Sequence, residues 1–192
     1  MTIEKIKLNA TALLKPFKYH DEMKDTLRSM IETSYHEQIK FEDNMYGDEL
    51  HKTDWSRYPD FNREWVQYLV PKLHEHFLTC ADELNYQGVE VKGMWYQHYR
   101  KNSVHNWHIH GENYTGVYYL ELPDDTPKTE LIDQYDKKIT VEANEGDIII
   151  YHSFIIHRGP KVLNDSRKTI ISFNLEFEDI SKAWYARHDM NI

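Results

Sequence analysis

Residues 89–99 read Val89-Glu90-Val91-Lys92-Gly93-Met94-Trp95-Tyr96-Gln97-His98-Tyr99. Val89, Val91, Trp95, Gln97 and Tyr99 alternate with Glu90, Lys92, Met94, Tyr96 and His98, the two-residue period of a β-strand at high aromatic density. Runs of the same kind follow at residues 115–122, 138–142, 147–151, 154–157 and 169–178. The turn clusters Pro123-Asp-Asp-Thr-Pro127, Asn144-Glu-Gly-Asp147 and Leu163-Asn-Asp-Ser166 separate them. Many short strands without intervening helices point to an antiparallel sandwich or barrel, not to a parallel doubly wound sheet.

Upstream of Gly88 the period lengthens. Within residues 16–40, Met23, Leu27, Met30, Ile31 and Tyr35 recur at three- and four-residue spacing, the stripe of an amphipathic helix. A second stripe follows Asp60, with Trp65, Leu69, Leu73, Phe77, Cys80 and Leu84 on one side. Pro71 interrupts it and is expected to kink the helix or split it in two. No internal repeat or low-complexity linker divides the chain. The expected organisation is one α+β domain over 1–192 with a mainly β core. Residues 1–87 form a mainly helical part packed against a core at 88–178, and 179–192 form a tail.

Composition narrows the function. The chain has 192 residues, 40% hydrophobic and 14% aromatic, which suits a real core rather than disorder. Its 23 basic against 32 acidic residues give a net charge of −9, which argues against an unspecific nucleic-acid clamp. No run approaches the roughly 18–20 apolar residues of a membrane span. The start, Met1-Thr-Ile-Glu-Lys-Ile-Lys-Leu8, lacks the apolar stretch of a signal peptide. The Asn113-Tyr114-Thr115 sequon matters only in a secreted chain, and the expected location is cytoplasmic, with no membrane partner. One cysteine, Cys80, rules out an internal disulfide or a cysteine-based zinc knuckle. Against it stand 12 histidines, so any metal would be held by imidazole and carboxylate.

Six histidines fall between His98 and His157, most densely in His105-Asn-Trp-His108-Ile-His110-Gly-Glu112. On an extended segment His108 and His110 share a face, and Glu112 continues it. His157, closing the apolar run that starts at Asp147, is the natural distant third ligand. An open facial site of two histidines plus one carboxylate suits non-haem Fe(II), since three protein ligands leave positions for substrate and oxygen. The plain alternative is a solvated strand with two chance histidines.

The succession of His108-x-His110, Thr115-Gly-Val-Tyr-Tyr-Leu120, Gly146-Asp-Ile-Ile-Ile-Tyr151, His157 and Arg167-Lys-Thr-Ile-Ile-Ser-Phe-Asn-Leu175 resembles the Fe(II)- and 2-oxoglutarate-dependent oxygenases. The resemblance covers residues 91–177. It is strongest to a bacterial and bacteriophage branch with a His-x-His motif, related to prolyl 4-hydroxylases. It implies a double-stranded β-helix, the jelly roll, with His108, His110 and His157 as iron ligands at its mouth. It implies that Arg167, ten positions after His157, grips the far carboxylate of 2-oxoglutarate with its guanidinium fork. Arg167 shares a strand face with Thr169, Ile171, Phe173 and Leu175, which is expected to point inward and leave Lys168 on the surface. Tyr119 and Tyr99 stand where related prolyl hydroxylases place co-substrate tyrosines, although core packing with a bonded hydroxyl explains either one. Trp95 and Trp107 are candidates to line a substrate pocket.

Most of the superfamily has an acid two residues after the first histidine, and this chain has none there. Two ligand sets therefore stand open: His108, His110 and His157, or His110, Glu112 and His157. The spacing from His108 to the Tyr-Tyr-Leu strand favours the first, with His105 and His152 as bystanders. The implied reaction uses molecular oxygen and 2-oxoglutarate to hydroxylate an unactivated C–H bond of a small molecule, amino acid or peptide, releasing succinate and carbon dioxide. The alternatives are a three-histidine cupin dioxygenase that does not use 2-oxoglutarate, and a non-enzymatic jelly-roll binding module.

Overall fold

The structure, a computed structural model, describes residues 7–187. The ends of the expected domain and tail, 1–6 and 188–192, lie outside the described residues. The strand Tyr114–Glu121 (β6) reads Tyr-Thr-Gly-Val-Tyr-Tyr-Leu-Glu and is buried along its whole length. A strand apolar on both faces needs a layer on each side, and the fold supplies both. Tyr114, Tyr118 and Leu120 face one core, Val117 and Tyr119 a second.

β6 lies between Asp147–His152 (β9) and Lys168–Ile180 (β11) in a seven-stranded antiparallel sheet. Tyr86–Tyr99 (β4), Leu50–Thr53 (β3) and Glu37–Ile39 (β2) extend it beyond β11, and Ala12–Pro16 (β1) closes the other edge. The second sheet has four strands in the order His105–His108 (β5), His157–Gly159 (β10), Glu130–Ile132 (β7) and Lys138–Thr140 (β8). The two sheets enclose the smaller core in a jelly roll. The helices His20–Thr33 (α1) and Glu64–Glu83 (α2) pack the larger core against the outside of the seven-stranded sheet. Among the described residues no helix is long and apolar enough to cross a membrane.

Several expectations change in detail. α1 buries Met23, Leu27 and Ile31 but stops at Ser34, whose N–H donates to Ile31 O, so Tyr35 lies outside it and half exposed. α2 is not split: it runs unbroken through Pro71. Trp65, Leu69, Leu73, Phe77 and Cys80 bury one stripe on both sides of the proline. Apolar burial of about 1.5–3 kcal/mol per large side chain outweighs the roughly 3 kcal/mol cost of an internal proline. The first 87 residues also contribute three short strands, β1 to β3, which apolar periodicity did not reveal. Residues 153–156 form a turn instead of a strand, with Ile155 N–H donating to His152 O.

β4 departs most from its sequence pattern. Opposite it, Asn174 pairs with Gly93 but Leu175 pairs with Val91, a β-bulge that skips Lys92. The bulge reverses parity. Val89 and Val91 face the helices together with Met94 and Tyr96, whereas Trp95, Gln97 and Tyr99 face between the sheets.

Gly116, on β6, is a close-approach glycine. A Cβ there would stand 2.2 Å from Ile149 O and 2.6 Å from the Phe173 ring. The backbone oxygen cannot step aside, so Gly116→Ala should lower unfolding free energy by at least about 2 kcal/mol in chemical denaturation. A loss under about 0.5 kcal/mol would contradict this packing.

Candidate metal centre

Strand pairing sets the first two histidines. His157, the first residue of β10, is the Cα partner of His108, the last residue of β5. Their ring centroids are 4.2 Å apart. His110 lies on the loop after β5, and its N–H donates to Ser153 O at 3.0 Å, which ties that loop to the turn before β10. β5 is itself held by Asp48, whose carboxylate accepts the Asn106 N–H at 2.7 Å.

The ring nitrogens converge. His108 Nδ1 is 2.6 Å from Asn106 O, and His157 Nδ1 is 2.8 Å from Ile155 O. A carbonyl only accepts, so both Nδ1 atoms carry the proton and both Nε2 atoms present a lone pair. His110 Nε2 lies 3.2 Å from His157 Nε2. Two nitrogens each about 2.1 Å from one cation and at right angles would be about 3 Å apart, so this spacing fits adjacent metal ligands. Among the described residues, one ligand atom from each of His108, His110 and His157 lies within 4.8 Å of the others, and no acid joins the group. Glu112 sits in the loop beyond, so the His110–Glu112–His157 alternative is not assembled. Burial, and then the neighbouring His108 ring, holds His110 down to about 4 and His157 to about 3. His108 is lowered by burial as well. All three are thus neutral near pH 7, the form that binds a metal.

A cavity runs from these rings between the sheets. Its lining includes Trp95, Gln97, Tyr99, Tyr151 and Lys168. Lys168 is 1% exposed, donates to Pro127 O at 2.9 Å and stands 4.2 Å from the centroid of Tyr99. Among the described residues no carboxylate pairs with it, and burial pushes its ammonium down to about 7. Tyr99 donates to Gln97 Oε1 at 3.2 Å, and Gly159 leaves room for its hydroxyl, which a Cβ there would meet at 2.7 Å. Burial raises the Tyr151 hydroxyl well above its ordinary range, and that hydroxyl has no hydrogen-bond partner among the described residues.

The expected placement of Arg167 is corrected. Arg167 does precede the face of Thr169, Ile171, Phe173 and Leu175, but that face meets the helices. The guanidinium pairs with Glu32 of α1 and, at 2.6 Å, with Glu121. Arg28 of α1 also reaches Glu121, at 2.9 Å. Arg167 therefore joins α1 to the sheet, while Lys168, one residue on, points into the cavity. Tyr99 is among the residues that line the cavity. Tyr119 stands one layer back, its hydroxyl donating at 2.8 Å to Thr129, which does line it. Trp95 is in the wall, but Trp107 packs against Arg158 and is 36% exposed. His105 belongs to the wall too, stacked on His108 at 3.9 Å, whereas His152 bonds Tyr114 outside it.

The chain matches no family model and no curated protein sequence. Solved structures do resemble it. An oxidoreductase of the 2OG-Fe(II) oxygenase family from Burkholderia pseudomallei superposes with TM-score 0.68 at 10% identity, over 88% of this chain and 87% of that one. HygX from Streptomyces hygroscopicus, solved with nickel and 2-oxoglutarate bound, gives 0.62 at 12% identity over 91% and 85%. A Pseudomonas putida prolyl-4-hydroxylase gives 0.59 at 12% identity over 86% and 92%. At these identities the likeness is one of architecture: the chain has the jelly-roll fold found in 2OG-Fe(II) oxygenases.

Proposed function

We propose that this chain is an Fe(II)- and 2-oxoglutarate-dependent dioxygenase that hydroxylates an unactivated C–H bond and releases succinate and carbon dioxide. One observation carries the reading: a single cavity joins three convergent neutral imidazoles to a buried lysine with no carboxylate partner. A buried ammonium is costly until an anion meets it. The donor set fits both groups. His108, His110 and His157 would hold iron through Nε2 and leave positions open for 2-oxoglutarate and oxygen. Bound iron and its co-substrate supply the oxidation that side chains cannot perform.

The far carboxylate would meet Lys168 in place of the expected Arg167. Lysine offers a point charge instead of a fork, so a second donor is needed. The unpaired Tyr151 hydroxyl supplies it. Tyr99 places its ring beside the ammonium, and Tyr119 supports the wall through Thr129. The likeness to prolyl hydroxylases makes a peptide or amino-acid side chain the preferred substrate class. A three-histidine dioxygenase without 2-oxoglutarate would leave Lys168 buried for no ligand.

Anaerobic addition of Fe(II) and then 2-oxoglutarate should produce a visible metal-to-ligand charge-transfer band. A protein that binds iron but shows no band would refute the co-substrate. In calorimetry on the Ni(II)-loaded protein, Lys168→Met should weaken 2-oxoglutarate by about a hundredfold, as expected for a lost buried charge contact. Arg167→Ala should leave affinity within about twofold and instead cost about 1–3 kcal/mol of stability. The reverse pattern would restore Arg167 to the co-substrate site.

Lys168 also sets a pH dependence. Above about pH 7 the empty cavity holds a neutral amine, so binding the dicarboxylate must take up a proton. Affinity should fall by up to about tenfold per pH unit above that point, and Lys168→Met should abolish the slope. Stability of the ligand-free protein runs the other way. The unfolded lysine keeps its proton to about 10.5, so stability should rise with pH between about 7 and 10.5.

A further inference from the structure

Trp95 is 2% exposed and held on several sides. Trp55 stacks on it at 6.2 Å and 19°, and Tyr58 meets it edge-on at 6.2 Å. The His110 ring lies 5.8 Å away, tilted by 30°. Its indole N–H is a donor only, and it finds no acceptor among the described residues. Buried N–H groups are nearly always paired, so one left open in a cavity wall marks a place for a ligand acceptor.

Two residues lining this cavity have a buried polar atom without a partner: Trp95 Nε1 and the Tyr151 hydroxyl. They serve different ends. The Tyr151 ring packs on His157 at 4.9 Å, but its hydroxyl, raised first by burial and then by Tyr119 and Tyr99, faces toward Tyr99 and the lysine beside it. Trp95 stands four residues away from Tyr99 on β4 and packs on His110, at the histidine end. Other polar groups beside the histidines are engaged. Thr115 Oγ1 donates to Phe173 O, Ser172 Oγ to Gln97 Oε1, and His105 Nδ1 pairs with Gln97 Nε2.

A 2-oxo dicarboxylate has acceptor oxygens at both ends, and the cavity has one open donor for each. We propose that the Trp95 indole N–H donates to the metal-side carboxylate of 2-oxoglutarate, the one next to the 2-oxo group. This rests on the co-substrate reading above. The bond would hold that carboxylate in one orientation beside His108, His110 and His157, the residues that would hold the iron. Trp95 is then a binding and orienting residue for the co-substrate.

The test uses Trp95→Phe, which keeps an aromatic ring and removes the donor. Calorimetry with the Ni(II)-loaded proteins should show 2-oxoglutarate bound about ten- to a hundredfold more weakly, the effect of losing a charge-assisted hydrogen bond. Ni(II) affinity and melting temperature should stay near wild type, and the anaerobic Fe(II) charge-transfer band should shift. Unchanged affinity together with an unchanged band would overturn the proposal, leaving water as the partner of the N–H. If the variant fails to fold, the Zn(II)-loaded wild-type protein decides. Its Trp95 indole proton should move downfield in NMR when 2-oxoglutarate is added, and an unmoved resonance refutes the contact. Wild-type protein that binds Ni(II) but not 2-oxoglutarate would overturn the co-substrate reading and this proposal together. Wild-type binding with an indifferent Trp95→Phe would overturn this proposal alone.

Discussion

Everything in this molecule depends on β11 satisfying two cores at once. It lies between β4 and β6, and its residues alternate between a helix-covered layer and the interior of the jelly roll. Ile171, Phe173 and Leu175 anchor the helices, while Lys168, Ile170 and Ser172 form cavity wall. Two adjacent cations open this strand and go opposite ways. Arg167 finds two carboxylates among α1 and β6, while Lys168 enters a space with none. The first placement ties a helix to the sheet, and the second leaves an unmet charge in the interior.

The candidate metal site shows the same economy of backbone. His108 and His157 face each other because their strands pair, and each is set in orientation by a carbonyl two residues before it. Only His110 stands off the ladder. With no acid among the ligands, the ring set adds no negative charge to a divalent metal. Any compensating charge must come from what binds beside it, and a metal-bound carboxylate would meet that need.

Much of this could be read in the residues. Period-two alternation identified β4, apolar runs bounded by turn clusters identified β6, β9 and β11, and the three histidines stood out by spacing and by the resemblance. The face of β11 did not. Both of its faces are buried, so parity separates Arg167 from Lys168 without saying which looks into the cavity. The larger apolar residues, Phe173 and Phe177, were the available signal, since two helices offer more apolar surface than a cavity lined with polar groups. Trp95 could be placed as a candidate wall residue, but an unpaired indole N–H is a property of three-dimensional surroundings. β1 to β3 were hidden because strands of three to five residues carry little period of their own. The bulge was hidden because Lys92-Gly93 reads as ordinary alternation.

That bulge has a consequence for how the protein can change. A strand normally keeps its inward-facing set by counting residues, and β4 contains one miscount. Before it, odd-numbered residues support the helices, and after it they become cavity wall. Removal of Lys92 alone would restore regular pairing with neither half displaced, because Val91 opposite Leu175 and Gly93 opposite Asn174 would then be consecutive. Substitutions can vary the chemistry of the chamber one wall position at a time, and the bulge gives β4 one place where a residue can be lost without turning Trp95, Gln97 and Tyr99 out of the wall.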